Sequence, residues 1–292
     1  MNIYESIVSR TPIENGWSGD RKYRVTTVGG DTYLLRLSTI DRLERKQREF
    51  EKTEEVAALG IPMCLPVEFG ISEEGVYAIQ SWIDGEDAEA AIMAMEEAQQ
   101  YRYGLDAGKI LAKIHTLPAP ADAPSWESRF NAKIDRKIAM YESCPLKYEN
   151  GGAFLKYLTG NRHLLANRPQ SYQHGDYHIG NMMIDHGGKL IIIDFDRDDF
   201  GDPWEEFNRI VWCAQTAPAF ASGMVDGYFG GEVPMEFWKL LALYISSNTL
   251  SSLPWAIPFG EKEIQVMRTQ AAQILQWYDS MNNVIPSWYR KE

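Results

Sequence analysis

Two carboxylates and one amide within residues 172–196 have the types and spacing needed for metal-assisted chemistry. Asp176 and Asn181 lie five positions apart, and Asp194 follows a short apolar run. Mg²⁺ takes carboxylate and amide oxygens together with water and phosphate oxygens. A carboxylate can also orient a hydroxyl group and accept its proton. The set therefore suits phosphoryl transfer from a metal-bound nucleotide to a hydroxyl.

A β-hairpin is the element that would bring these side chains together. Two apolar runs, 182–184 and 190–193, flank the turn sequence Asp-His-Gly-Gly at 185–188. Runs of this kind joined by such a turn predict two antiparallel strands. Because a hairpin returns the chain to its starting point, we expect Asp194 to lie near Asp176 and Asn181.

The complete motif is more specific than any one of its parts. His174-Gly175-Asp176 is followed by Asn181, and the second apolar run ends in Asp194-Phe195-Asp196. This pattern resembles that of the aminoglycoside phosphotransferase and choline kinase-like family of small-molecule kinases. By ordered features, the resemblance covers residues 16–207.

The resemblance implies an α+β, two-lobed protein kinase-like fold. Residues 1–83 would form a nucleotide-binding lobe with an antiparallel sheet and one helix. Residues 84–292 would form a mostly helical catalytic and substrate-binding lobe. The phosphate donor would be ATP or GTP with Mg²⁺, Asp176 would accept or orient the proton of the acceptor hydroxyl, and Asn181 and Asp194 would hold the metal.

Strand alternation places Leu34 and Arg36 on one face of a predicted strand. By resemblance, Leu34 would cover the adenine and Arg36 would pair with the phosphates, although the family has lysine there. Arginine also binds phosphate, and a salt-bridged strand residue is the simpler alternative. Glu49 would pair with Arg36, with Glu51 as a competing candidate.

Two further segments would border the nucleotide if the resemblance holds. Ser18 lies in a glycine-containing loop that would cover the phosphates, although Gly-x-x-Gly alone is also typical of a plain hairpin loop. Ser81, Trp82 and Ile83 would border the adenine at the junction of the lobes. The Trp82 ring could stack on the base or belong to the core.

Candidate acceptor-binding residues follow the metal-binding motif. Glu205 and Glu206 come after Gly201-Asp202-Pro203, where Asp202 reads as a helix cap. In antibiotic kinases, acidic residues in this region help to hold cationic substrates. Trp255 lies in a predicted loop, 251–260, that would form either a substrate wall or a packed connector.

The remaining pattern predicts helices and strands around these sites. The predicted strands are 23–28, 32–38, 66–70 and 76–83, with 84–87 as a hinge. The predicted helices are 41–59, 101–117, 126–141, 154–166, 237–248 and 261–281.

Composition limits the classes of partner. The 292 residues carry a net charge of −12, which argues against binding to nucleic acid or to an anionic membrane. The three cysteines, Cys64, Cys144 and Cys213, form no Cys-x-x-Cys motif and predict neither zinc nor disulfides. With no signal-peptide pattern and no long apolar segment, we expect a cytoplasmic protein.

The sequence thus predicts an ATP- or GTP- and Mg²⁺-dependent phosphotransferase acting on a small-molecule hydroxyl. An aminoglycoside-type antibiotic is the favoured acceptor, which would imply a role in antibiotic resistance. The alternatives are a kinase of a macrolide, a choline-like amine or a sugar, or a catalytically silent nucleotide-binding protein. A protein kinase fits less well because no Ala-Pro-Glu segment follows Asp194. The sequence leaves monomer and dimer open.

Overall fold

The computed structural model describes residues 2–14 and 19–290, which form two compact units. The first unit comprises Met1–Ala91 and Gly180–Asp198, and the second comprises Ile92–Ile179 and Asp199–Glu292. Within the described residues, every helix is too short or too polar to serve as a membrane span.

A five-stranded antiparallel sheet with the strand order β1-β2-β3-β5-β4 forms most of the first unit. Its strands are β1 (Ile7–Ile13), β2 (Arg21–Thr27), β3 (Thr32–Ser38), β4 (Pro66–Ser72) and β5 (Gly75–Ser81). Alternate residues of the central strands, including Leu35 and Leu37 of β3, are fully buried in one apolar cluster with Ile79 of β5. The same alternation places Leu34 and Arg36 on the opposite face of β3, as predicted.

Helix α1 (Leu43–Ala57) follows the third strand of this sheet. Its charged side chains form pairs at helical spacing, such as Arg45–Glu49 and Lys52–Glu55, while Thr53 and Val56 are buried. Pairs three or four residues apart stabilise the exposed face of a helix, and the buried residues fix its orientation.

A second, three-stranded sheet explains why residues 180–198 belong to the first unit. It contains β6 (Gly85–Asp87), β8 (Met182–Asp185) and β9 (Leu190–Ile192), in the order β6-β8-β9. The segment predicted as a hinge is therefore a strand, because Gly85 pairs with Asp185 and Asp87 with Met183. The compact units differ from the predicted cut after residue 83, and that lobe boundary stays a prediction.

The second unit is mostly helical. Helix α2 (Ala88–Met93) contains the boundary between the units. The helices that follow it are α3 (Glu97–Ile114), α4 (Trp126–Ser143), α5 (Gly152–Gly160), α6 (Ile210–Thr216), α7 (Pro218–Phe229), α8 (Met235–Ala256) and α9 (Glu261–Trp277). Helices α3 and α7 pack backbone against backbone. A Cβ atom at Gly104 would overlap the carbonyl oxygen of Phe220, and one at Gly223 would overlap that of Tyr101.

Two strands of the second unit flank the predicted catalytic loop and the segment after the metal motif. Strand β7 (Ser171–Gln173) pairs antiparallel with β10 (Asp199–Gly201), with Gln173 opposite Asp199. This pairing holds the entrance to the His174-Gly175-Asp176 loop within the second unit.

The predicted loop at 251–260 is wrong for most of its length. Helix α8 continues through Pro254 to Ala256, and a 3₁₀ turn follows at Ile257–Phe259. A proline inside a helix removes one hydrogen bond. Leu250, Leu253 and Ala256 are nevertheless fully buried at helical spacing, so burial of this face outweighs the local effect of Pro254.

Candidate active site

The hairpin brings the two predicted metal ligands close together within the first unit. Strands β8 and β9 pair antiparallel, as predicted, and the Ile193 N–H donates to the Asn181 carbonyl at 3.1 Å. Asp194 follows directly, with a φ of 68°. Aspartate and asparagine tolerate this left-handed conformation better than most residues. The hydrogen bond and the turn together fix where the Asp194 side chain begins.

Arg36 on β3 binds three carboxylates, and we call these four residues the Arg36 cluster: Arg36, Asp20, Asp194 and Asp196. Its Nη1 donates to Asp194 Oδ1 at 2.9 Å, and its Nη2 donates to Asp196 Oδ2 at 2.6 Å. Its Nε donates to Asp20 Oδ2 at 3.3 Å. The planar guanidinium can address several carboxylates at once, which a lysine ammonium cannot do with the same geometry.

Burial and charge oppose one another in this cluster. Burial lowers the pKa of Arg36, but the charges of Asp194, Asp196 and Asp20 outweigh it and raise that pKa above its ordinary value. Burial also raises the pKa of Asp20. Hydrogen bonds from Ser38 and Lys46 and the charge of Arg36 reverse that effect, so the Asp20 carboxyl has a lowered pKa. The charged forms of Arg36 and Asp20 are thus both favoured.

The predicted ion pair between Arg36 and Glu49 is wrong. The Glu49 carboxylate binds Arg45 at 2.7 Å and Lys46 at 2.7 Å, both on its own helix. Lys46 also reaches Asp20 at 2.9 Å. The short Asp20 and Asp196 side chains surround Arg36, so Glu49 is linked to it only through Lys46 and Asp20.

The donor set fits Mg²⁺, which takes few protein oxygens and keeps several waters. Asn181 offers an amide and Asp194 a carboxylate, and two cations already balance the Asp194 charge. Arg36 lies 2.9 Å from Asp194 Oδ1, and Lys22 lies 4.0 Å from it. Within the described residues, no group of three or more His, Cys, Asp or Glu side chains could hold a metal by itself. A site with two protein ligands would be completed by water and phosphate oxygens.

The remaining predicted nucleotide contacts lie on the sheet and just after it. Leu34 is half-buried on the same face of β3 as Arg36. The Ser81 N–H donates to the Leu65 carbonyl, and Ile83 is half-buried after β5. Ser18 lies outside the described residues, and the nucleotide role of each of these residues stays a prediction.

Trp82 has partners on both its edge and its face. Its Nε1 donates to Asp84 Oδ1 at 3.1 Å, and the Arg24 guanidinium lies 5.0 Å from the ring centroid. A cation over an aromatic face stabilises that ring in place. The ring is thus partly committed to protein contacts, and stacking on a base stays a prediction.

Glu206 braces the predicted catalytic loop in the second unit. Its carboxylate accepts the His174 N–H at 2.7 Å and the Gly175 N–H at 2.8 Å, and its side chain is buried. The imidazole Nε2 of His115 lies 3.5 Å from the same carboxylate. Charge-assisted bonds of this kind fix a loop strongly. Because these contacts occupy a buried carboxylate, the geometry argues against the predicted substrate contact by Glu206.

The Asp176 carboxylate lies at the partly exposed end of this loop. Arg209 Nε lies 3.1 Å from Asp176 Oδ1, and His178 Nε2 lies 3.7 Å from the same atom. The Asp176 N–H donates to His174 Nδ1 at 3.3 Å. The buried Tyr177 hydroxyl next along the chain donates to the Ala107 carbonyl at 2.7 Å. These contacts hold both the backbone and the carboxylate of Asp176.

Glu205, the other predicted acidic contact, is already paired. Lys133 Nζ lies 3.0 Å from Glu205 Oε1, and Gln173 Nε2 donates to Oε2 at 3.4 Å. Burial raises the pKa of Glu205, but the charges of Lys133, Lys137 and Arg209 outweigh it and lower that pKa overall. Glu205 is therefore an ionised carboxylate surrounded by cations.

Trp255 lies on helix α8 rather than on a loop. Its ring is 46% exposed and its centroid lies 4.7 Å from that of Phe259, which is 45% exposed. An exposed aromatic pair of this kind can cover part of a ligand. The substrate contact by Trp255 stays a prediction, and the residue lies on a helix instead of the expected loop.

One known protein family matches most of the chain. The family model described as "Phosphotransferase enzyme family" matches residues 9–238, which include both the Arg36 cluster and the Asp176 loop. The chain belongs to the phosphotransferase enzyme family. The predicted enzyme class is thereby confirmed. No curated protein matches this phosphotransferase in sequence.

Solved structures with the same fold are distant in sequence. A choline/ethanolamine kinase family protein from Mesorhizobium loti superposes with a TM-score of 0.67 at 16% identity, covering 94% of this chain and 91% of that one. Aminoglycoside phosphotransferase APH(4)-Ia, solved with ADP and hygromycin B, gives 0.65 at 16% identity, covering 94% and 95%. ADP-bound APH(2'')-Ib gives 0.63 at 14% identity, covering 92% and 96%. The predicted kinase-like α+β fold of this phosphotransferase is confirmed.

Several residues around both sites had no assigned role in the sequence. Asp196 was visible as the second acidic residue of the motif, but its bond to Arg36 was not. Asp20 had the weak signal of an acidic residue just after a glycine-containing loop. Arg209 had none, because it lies beyond the motif and contacts Asp176 only through the fold.

Proposed function

We propose that this chain transfers a phosphoryl group from a nucleoside triphosphate to a hydroxyl of a small molecule. The observation that carries the proposal is the position of Asp194. It follows the hairpin residue bonded to Asn181, and it binds Arg36, the cation at the predicted phosphate-binding position. Family membership supports the same reaction class.

Asp176 is the proposed proton acceptor. A general base must hold its carboxylate at hydrogen-bonding distance from the acceptor hydroxyl and must keep that direction. Glu206 fixes the preceding backbone, and Arg209 holds the carboxylate through Oδ1. Catalysis would then rest on orientation of the hydroxyl and on transfer of its proton to Asp176.

Asn181 and Asp194 are the proposed Mg²⁺ ligands, and Arg36 is the proposed phosphate-binding cation. Bound Mg²⁺ would neutralise charge on the phosphate oxygens. Leu34, Ser81, Trp82 and Ile83 are the proposed borders of the base, which leaves ATP and GTP both as candidate donors. The solved relatives that contain ADP support a nucleotide donor.

The related structures constrain the acceptor less than they constrain the phosphate donor. An aminoglycoside is a polycation, and hygromycin B in the related APH(4)-Ia structure supports that class. However, Glu205 is paired with Lys133, and Glu206 is buried behind the loop. The two acidic side chains that would have held a cationic acceptor are thus both committed, so we propose the hydroxyl acceptor without that restriction.

The test is an acceptor panel assayed with ATP and with GTP, read by mass spectrometry as a gain of one phosphate on the acceptor. The panel covers aminoglycosides, macrolides, choline-like amines, sugars and hydroxy acids. We expect at least one acceptor to gain a phosphate only when nucleotide and Mg²⁺ are present. Nucleotide binding with no product from any acceptor would instead support a catalytically silent nucleotide-binding protein.

A further inference from the structure

Positive charge is concentrated around Glu205 in a chain that is strongly acidic as a whole. The whole sequence carries a net charge of −12. Three cationic side chains of the same unit, however, act on the Glu205 carboxylate: Lys133, Lys137 and Arg209. Arg209 also pairs with Asp176. A positively charged region on an acidic protein attracts anionic ligands.

Arg209 is the cation nearest to the proposed base. Its Nε lies 3.1 Å from Asp176 Oδ1, and its side chain is 27% exposed. Among the described residues, Asp176 is the one carboxylate within ion-pair distance of it. A guanidinium has five N–H donors, so Arg209 can bind an anion and keep its contact with Asp176. Any acceptor whose hydroxyl reaches Asp176 must therefore come close to Arg209.

Lys137 supplies a second cation, and Glu205, the carboxylate that acts on its charge, is already bonded to Lys133. Within the described part of the chain, its amine has no hydrogen bond or ion pair, although its side chain is partly buried. Burial lowers its pKa to about 7, and the charges of Lys133 and Arg209 add to that effect, while Glu205 opposes it. Such a position costs stability, and perturbed groups of this kind concentrate at functional sites.

Lys133 removes the attraction that Glu205 would otherwise offer to a cationic acceptor. Its Nζ lies 3.0 Å from Glu205 Oε1, and Lys137 and Arg209 both act electrostatically on the same carboxylate. A cationic acceptor would thus meet Lys133, Lys137 and Arg209, while the Glu205 and Asp176 carboxylates are already paired with Lys133 and Arg209. An anionic acceptor would supply the partner that Lys137 lacks.

We propose that the acceptor of this phosphotransferase is a hydroxyl-bearing small-molecule anion whose carboxylate or phosphate group binds Lys137 and Arg209. This assignment rests on the proposed function, because it places the reacting hydroxyl at Asp176. It differs from the aminoglycoside expectation in the sign of the acceptor's charge. Arg209 then has two tasks: it holds Asp176 and it positions the acceptor beside that carboxylate.

The experiment compares matched acceptors that differ only in charge. Each polyhydroxylated acceptor is supplied as its carboxylate, its primary amide and its amine, and a second set compares phosphate monoesters with the parent alcohols. Kinetics are measured for the unaltered protein, for Lys137→Gln, for Lys137→Arg and for Lys156→Gln, a control at an exposed lysine on α5. The two sets separate a carboxylate-bearing acceptor from a phosphate-bearing one.

We expect kcat/KM to be highest for an anionic form. Lys137→Gln should raise KM for that form about ten-fold to one-hundred-fold, the range for one charge-assisted hydrogen bond, with a smaller change in kcat. Lys137→Arg should restore much of the loss, and Lys156→Gln should change nothing. Equal or better turnover of the amide or amine, or a charge preference unchanged in Lys137→Gln, would overturn the proposal.

Binding measurements keep the two proposals separable. If no acceptor gains a phosphate, the proposed function fails, and calorimetric titration of the same matched acceptors with ADP present then decides the anion site. Tighter binding of the anionic form that is lost in Lys137→Gln would support it. Equal binding of all forms, or no binding of the anionic ones, would overturn it.

Discussion

Arg36 on strand β3 donates a 2.9 Å hydrogen bond to Asp194 at the end of the β8–β9 hairpin, 158 residues further along the chain. The bond joins the proposed phosphate-binding cation directly to a proposed metal ligand. Asp196 and Asp20 bind the same guanidinium, so three carboxylates depend in part on one cation, although Lys22 also lies near Asp194 and Lys46 near Asp20. This dependence makes the cluster sensitive to any change at residue 36.

Removal of the Arg36 guanidinium should destabilise the first unit strongly. Arg36→Met leaves Asp20, Asp194 and Asp196 without their shared cation, and breaking a buried ion pair in this way costs about 3–5 kcal/mol. Arg36→Lys should cost less but remain destabilising, because one ammonium cannot span three carboxylates. Urea unfolding measures both. Arg10→Met, which breaks the exposed Arg10–Glu74 pair, is the control and should cost under about 1 kcal/mol.

Asp194 should couple nucleotide affinity to Mg²⁺. Asp194→Asn keeps a side chain that tolerates the left-handed backbone at φ 68°, so the substitution tests charge rather than conformation. We expect nucleotide affinity in the variant to become nearly independent of Mg²⁺, since one of two protein ligands loses its charge. Nucleotide titrations at a series of Mg²⁺ concentrations measure this. An Mg²⁺ dependence equal to that of the unaltered protein would contradict the assignment.

Glu206 should be a positioning residue for the Asp176 loop. In the unaltered protein, the His174 and Gly175 N–H groups each donate to an oxygen of Glu206. Glu206→Gln replaces one of these oxygens with an amide NH₂, which cannot accept a hydrogen bond. We expect a loss of about 2 kcal/mol or more in unfolding free energy, with a fall in kcat larger than any change in nucleotide affinity. Glu232→Gln, at an exposed position, is the matched control. A variant as stable and active as Glu232→Gln would show that the brace is dispensable.

Lys137 should reduce stability at neutral pH. Its pKa is about 7 in the folded chain, against 10.5 ordinarily, so between these values the unfolded chain binds more protons and stability rises with pH. Lys137→Met should therefore be more stable than the unaltered protein at pH 7 by on the order of 2 kcal/mol, since water retains some access to the amine. The difference should shrink towards pH 10.

The groups acting on Lys137 are Lys133 and Arg136 on its own helix and Glu205 and Arg209 from the segment after β10. Glu205 stays ionised near pH 7 because its pKa is lowered. Chemical denaturation of both proteins at several pH values gives the measurement. A stability difference that does not vary between pH 7 and 10 would contradict the lowered pKa.

Local patterns in the sequence predicted the parts of the fold that depend on neighbouring residues. The hairpin at 182–192 was predictable because two apolar runs and a glycine turn determine it within a few residues. The shared face of Leu34 and Arg36 followed from strand alternation alone. The predicted loop at 251–260 was wrong because burial of Leu250 and Leu253 carries helix α8 past Pro254.

Contacts between distant segments were not predictable in the same way. Nothing near Arg36 in the sequence distinguishes Asp20 or Asp196 from Glu49 as its partner. No pattern in the sequence distinguishes Lys137 from the other charged residues of helix α4, yet its side chain is partly buried, and Glu205 and Arg209 act on its charge. Such groupings depend on how the helices pack, and a single sequence contains no pattern for that packing.

The central claim is tested most directly by measuring the rate of acceptor-dependent phosphate transfer in the Asp176→Asn variant. With an acceptor found in the panel, we expect the rate to fall by about 10²–10⁴-fold, the usual contribution of a positioned general base. Nucleotide affinity and unfolding free energy, measured in parallel, should change little by comparison. A variant that keeps substantially the rate of the unaltered protein would contradict the assignment of Asp176 as the group that accepts the hydroxyl proton.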